Sequence, residues 1–313
     1  MSTTFLTSAA AQPREQGERS HRLLVATGAV AAMLGTAALL YYGADYYLTA
    51  PLERPYHPRH LMLRPSGQVG LGLGILGVFL FCLIFLYPIR KRWLWLANIG
   101  NSQHWFNFHI LMGVIAPVVI AFHASFKFSG LAGIAYWIMF SVAVSGIAGR
   151  YIFAQIPRSR NSAELSLQAS RDLQERLTSE LAAQRVVHPA DLARLFHLPS
   201  PSVVARESMI TVLCTLLWID LARPLRVARV RRHMLGFGDK LLTLGGLRAS
   251  RNGKLEHIVA VARDQARLSK KLLFLEKSHQ IFHLWHVVHR PFSYSFVVLA
   301  VAHILVAVLF RFR

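Results

Sequence analysis

"HLWHVVHRPFSYSFVVLAVAHILVAVLF", residues 283–310, is the stretch on which the fold turns. A bilayer crossing takes about 20 apolar residues at 1.5 Å each, and this segment has that length and character. Yet His283, His286, His289 and His303 interrupt it. Ionisable side chains are costly at membrane depth and are retained there for a function, so four histidines in one span need a physical reason.

Four further segments qualify as spans, at 23–43, 68–88, 104–124 and 131–153, making five with 284–310. The expected fold is therefore an all-α integral membrane protein. Composition agrees: 54% of the 313 residues are hydrophobic, yet the formal net charge is +20. Soluble folds rarely combine the two, whereas basic loops between apolar spans do so naturally. No zinc-finger, homeodomain or RNP-like motif accompanies the basicity, so nucleic acid is not an expected partner and membrane lipid is. Cys82 and Cys214 stand far apart, which excludes a disulfide framework, a CxxC pair and a CxxCH attachment site for c-type haem. At the N-terminus, Arg14, Arg19 and Arg22 precede about 20 apolar residues, longer than a signal-peptide core and without a cleavage site before Asp45. The expectation is a retained first helix.

Loop charge suggests the orientation. Arg90, Lys91 and Arg92 follow the second span, and Arg150, Arg158 and Arg160 follow the fourth. Positive-inside bias puts both loops and the N-terminus in the cytoplasm, with the bacterial inner (plasma) membrane as the expected location. The expected organisation is a cytoplasmic tail at 1–22, helices one to four at 23–156, a basic insert at 157–281 and a fifth helix at 282–313. The insert holds 21 Lys or Arg against 11 Asp or Glu, so it is expected to be mainly helical and cytoplasmic or interfacial. Residues 161–187 have the spacing of an amphipathic helix, and three prolines break the pattern at 187–202. "SMITVLCTLLWIDLA", residues 208–222, is short for a span and is interrupted by Asp220. With "RPLRVARVRR" after it, it is expected to lie at the interface with its basic flank on anionic lipid, a re-entrant segment being the alternative.

His109 and His123 in the third span are 14 residues apart, and so are His289 and His303 in the fifth. Fourteen residues make about 3.9 helical turns, so each pair shares a face, with roughly 21 Å between its members. Parallel third and fifth helices would match His109 with His289 and His123 with His303. If 208–222 crossed the membrane, the fifth helix would reverse and the partners would exchange. Either way, two facing imidazoles at each level can supply both axial ligands of a haem iron, which predicts two b-type haems in a helical bundle. Arg150 and Arg290 lie where haem propionates would emerge, and guanidinium suits carboxylate; a plain interface role is the alternative. His279, His283 and His286 line one stripe with His289. They could form a quinone site, a proton relay or a third metal site, or simply a solvated stripe at the membrane surface.

Histidines about fourteen apart on a third and a fifth helix, with basic loops, resemble the transmembrane domain of ferric reductases and NADPH oxidases. More loosely, they are similar to the di-haem cytochromes of the b561 type. The resemblance covers mainly 104–154 and 281–310, and it implies that His109, His123, His289 and His303 are haem-iron ligands. Ferric reductases and NADPH oxidases continue into a flavin and nicotinamide domain, whereas this chain stops ten residues after His303 and carries no nucleotide motif. The expected function is thus electron transfer across the bilayer, as a carrier or as the membrane subunit of an oxidoreductase. Quinol or a soluble reductase would be the donor, and a separate acceptor would lie beyond. Two other classes compete: a non-redox scaffold or assembly subunit whose histidines only bond between helices, and a cation permease. The latter is disfavoured because the five spans contain no Asp or Glu.

Overall fold

The computed structural model describes residues 4–156, 167–183, 198–234, 243, 246–250 and 252–311. Among them all regular structure is helical. Five helices are long and apolar enough to cross a membrane: α1 (Thr4–Leu48), α3 (Gln68–Arg90), α5 (Ser102–His123), α6 (Gly130–Gln155) and α11 (Leu275–Arg311). Short helices α2 (His60–Leu63) and α4 (Leu94–Ala97) join them. Between α6 and α11 lie α7 (Leu167–Ala183), α8 (Pro201–Arg206), α9 (Met209–Met234) and α10 (Gly253–Leu273). Arg158 and Arg160, and most of the three-proline stretch, lie outside the described residues.

Two helices outrun their expected bounds. α1 begins at Thr4, so helix runs through the segment expected as a tail. α11 has 37 residues, roughly 55 Å of helix, against a hydrocarbon slab of about 30 Å. Its polar first turns therefore have no need to enter lipid. Pro291 inside α11 and Pro117 inside α5 are tolerated, as prolines are where neighbouring groups satisfy the freed carbonyls. α5 starts where the Asn101 side chain accepts from the Gln103 N–H at 2.9 Å, a standard N-cap. It ends where Ser125 and Phe126 turn left-handed at φ 49° and 58°.

The chain divides into two compact units, Met1–Ala148 with Val287–Arg313, and Gly149–His286. In the first, α3 packs along α5. A Cβ on Gly77 would clash with Ile120, so glycine lets the two backbones approach. Tyr46, Tyr47, Leu63 and Phe122 form a buried cluster at one end. Arg54, 5% exposed, closes that end by donating to the carbonyls of Ser125 (2.5 Å), Tyr47 (2.7 Å) and Thr49 (2.9 Å). Elsewhere the apolar side chains point outward: Leu34, Phe79, Val298 and Leu309 are all more than half exposed, as lipid-facing residues are.

The second unit buries its apolar side chains instead. Ile152, Val204, Val212, Leu216, Ile219, Phe274 and Ile281 form one core. Leu181, Val227, Val230, Leu255, Val259 and Ala262 form another. α10 has the local signals of a water-facing helix: Asn252 accepts from the Leu255 N–H at 3.2 Å, Glu256 sits in its first turn, and Lys270 and Lys271 sit in its last. α9 continues to Met234 through Pro224, well past the apolar run at 208–222. It is not among the five apolar helices, because its second half carries Arg223, Arg226, Arg229, Arg231 and Arg232.

Candidate functional site

Three of the four paired histidines are held by one ring nitrogen. His109 Nδ1 lies 2.9 Å from the Ile84 carbonyl and His123 Nδ1 lies 2.8 Å from the Gly70 carbonyl, both on α3. A carbonyl can only accept, so each Nδ1 carries the proton and Nε2 holds the lone pair. His289 Nδ1 is 2.8 Å from the Ser145 hydroxyl on α6. That hydroxyl donates its one hydrogen to the Val142 carbonyl at 2.8 Å, so His289 Nδ1 donates as well. Fixing Nδ1–H on a backbone or hydroxyl oxygen is how proteins orient an imidazole that offers Nε2 to a metal.

His123 and His303 face each other with ring centres 6.5 Å apart and planes at 77°. This is the matching expected of parallel α5 and α11, and not the reversed one. Two imidazoles on opposite sides of one metal ion need metal–nitrogen bonds of about 2 Å each plus half of each ring, or about 6 Å between ring centres. Their spacing, with the Nδ1 anchor of His123, fits two imidazoles on one metal ion. The backbones of α5 and α11 nowhere run together as closely as those of α3 and α5, so what meets between them is side chain. Gly74 bears directly on the site: a Cβ there would come 2.8 Å from the His123 ring. Gly146 leaves a looser fit, with 3.7 Å to the His289 ring.

The other candidates differ. His279 and His283 are exposed, and His286 is half-buried. His286 bonds through Nδ1 to the Phe282 carbonyl of its own helix at 2.9 Å and packs edge-on against Phe282 and Trp285. Arg150, half-buried, belongs to the second unit, and Arg290, exposed, belongs to the first. Among the described residues no group of three or more His, Cys, Asp or Glu side chains converges as a metal cage would require.

Sequence reasoning missed Ser145, Gly70 and Ile84 as anchors. Ser145 is a polar residue inside an apolar span, a signal open to reading. The two carbonyls have no signature, since every residue has one. It also missed His21, stacked on His104 at 3.8 Å and bonded to Asn107 at 3.2 Å.

In the second unit, Asp220 is the hub of a polar lock. It accepts from Lys270 Nζ at 2.6 and 2.7 Å and from the Tyr151 hydroxyl at 2.7 Å, with Gln155 at 3.3 Å and Arg223 at 2.7 Å. Burial pushes the Asp220 carboxyl up, but the bonds from Lys270 and Tyr151 outweigh it and hold the group below its usual range. Burial also pushes the Lys270 ammonium down to about 8, against the opposing pull of Asp220. The aspartate that interrupts the apolar run of α9 is thus a partner of α10.

No protein-family model, curated protein or solved structure matches this chain.

Proposed function

We propose that the protein is a di-haem b-type membrane cytochrome that carries electrons across the bilayer. Its donor is a quinol or a soluble reductase, and its acceptor is a separate molecule. The observation that carries this is the His123–His303 geometry, two imidazoles 6.5 Å apart with His123 fixed to present Nε2. His109 and His289, anchored the same way, would form the second level. When bound, haem iron supplies the one-electron chemistry. The chain's own residues hold the ligating nitrogens, and the Gly70 and Ile84 carbonyls and the Ser145 hydroxyl orient the rings and raise their basicity. The apolar spans keep water away. On this proposal the bundle sits in a bacterial inner membrane with its basic insert in the cytoplasm, and its architecture is that of the ferric reductase or cytochrome b561 membrane domain.

One observation favours a second reading. Each Nδ1 bond also ties one helix to another, which is what histidines of a non-redox scaffold would do. The two differ at Nε2, which only the cytochrome uses. A pyridine haemochrome assay on purified, detergent-solubilised protein, with a reduced-minus-oxidised spectrum, separates them. The cytochrome gives about two b-type haems per chain, and replacing His123 or His303 removes one of them. Protein expressed with ample haem yet colourless would leave the scaffold.

A further inference from the structure

α9 carries apolar side chains on two opposite sides, and packing accounts for only one of them. Val212, Leu216 and Ile219 face inward, into the core that Ile152 of α6 and Ile281 of α11 complete. Ile210, Cys214, Leu217, Trp218, Leu221 and Leu225 recur at helical spacing on the other side, and all are exposed. Ile210 is 77% exposed, Leu221 71% and Trp218 67%. A water-facing surface rarely leaves so long an apolar row uncovered.

Three observations name the cover. First, α6 and α11 are both long and apolar enough to cross a membrane, and the inner side of α9 packs on the end of each, so α9 is held where those helices leave the bilayer. Second, the row from Ile210 to Leu225 runs roughly 24 Å, short of a hydrocarbon slab of about 30 Å, so α9 can lie in the interface without spanning it. Trp218 supplies the aromatic group that membrane–water interfaces favour. Third, exposed Arg206 precedes the row and exposed Arg229 follows it, and neither is in an ion pair among the described residues. The nearby acids are turned away: Asp220 is held by Lys270, and Oε2 of Glu207 is buried. An apolar row between two cations complements an anionic headgroup layer. A facing copy of the same helix, in either direction, would instead bring arginine to arginine. We propose that α9 is an in-plane membrane anchor, with the row from Ile210 to Leu225 among the acyl chains of an anionic bilayer and Arg206 and Arg229 on the lipid phosphates at its two ends. The anchor is separate from electron transfer and holds whether or not the histidines bind haem.

The test uses the full-length protein in nanodiscs, one chain per disc, made of phosphatidylcholine alone or mixed with phosphatidylglycerol. In a C82S/C214S background, a nitroxide is attached at Leu221→Cys and, in a parallel sample, at Leu217→Cys. Each is compared with a nitroxide at Lys254→Cys, an exposed position on α10, for collision with lipid-soluble oxygen and with a water-soluble nickel chelate. The α9 labels favour oxygen, and the Lys254 label favours nickel. Phosphatidylglycerol raises the ratio of lipid-seated to water-exposed α9 label by roughly fivefold for each arginine, and R206Q/R229Q, with unchanged circular dichroism, removes that rise. Nickel collisions at both α9 positions as frequent as at Lys254 would put the row in water and overturn the proposal. Shielding from both reagents would put protein over the row and overturn it equally. Lipid seating that is the same in both mixtures and in R206Q/R229Q would keep the anchor and overturn its anionic partner.

Discussion

The two units solve the same problem in opposite ways. In the first, many leucine, valine and phenylalanine side chains of the long helices point outward, the cluster around Leu63 and Phe122 apart, while histidine, arginine and serine point inward to carbonyls and hydroxyls. In the second, apolar side chains meet in two cores, and the buried charges are paired, in the lock around Asp220 and in the Arg231–Glu256 pair. The contrast teaches that the hydrophobic effect sets burial only where water is the solvent. In hydrocarbon there is no such drive between helices, and what selects the interior is the need of each polar group for a partner.

The largest way to break the comparison is Asp220→Ala. It leaves Lys270, 3% exposed, as an uncompensated buried ammonium and is expected to cost about 3–5 kcal/mol. Proteolysis inside Gly149–His286 should accelerate while any chromophore of the first unit is retained. Removing the buried ammonium as well (D220L/K270M) should recover part of that loss, the rest being the cost of leaving Arg223 and Tyr151 without their acceptor, and a double variant as fragile as the single one would show that the lock acts through something other than the buried ammonium.

Next is Arg54→Met in the first unit, which strips the donor from the buried carbonyls of Ser125 and Tyr47 and the half-buried carbonyl of Thr49 and is expected to cost about 3 kcal/mol. It should lower the thermal midpoint of the detergent-solubilised protein without changing helix content. A midpoint equal to wild type would mean that those carbonyls find other donors.

A paired glycine test sharpens the comparison at the histidines. Gly74→Ala pushes on the His123 ring, whereas a Cβ on Gly72 meets open space. The first should cost about 1–3 kcal/mol as overpacking and, on the cytochrome proposal, weaken or shift the haem spectrum of one level. Gly72→Ala should be silent, and identical spectra for both would separate His123 from the chromophore.

The smallest effect is with pH. Asp220 and Glu256 are both held below their ordinary values: burial raises each carboxyl, and bonds from Lys270 and Tyr151 to the first, and from Arg231 and the Ser250 N–H to the second, more than reverse it. A carboxyl with a depressed folded value contributes stability above its unfolded value, about pH 4, and that contribution drains away as pH falls through the folded value. As pH falls below about 4, acid should therefore loosen the second unit, seen as protease sensitivity between Gly149 and His286, and sensitivity unchanged down to about pH 2 would contradict this.

The amino-acid sequence by itself determined the five apolar helices, because about 20 consecutive apolar residues have few places to go but lipid. It also determined the two fourteen-residue histidine pairs, because helical periodicity converts that spacing into a shared face. Long-range placement was beyond it. That His123 meets His303, that Ser145 and the Gly70 and Ile84 carbonyls anchor the rings, and that Asp220 reaches Lys270 fifty residues away were decided only by the tertiary structure. Periodicity is local and survives in a string of letters; a hydrogen-bond partner on another helix is fixed only when the helices pack, and any backbone carbonyl could have filled that role.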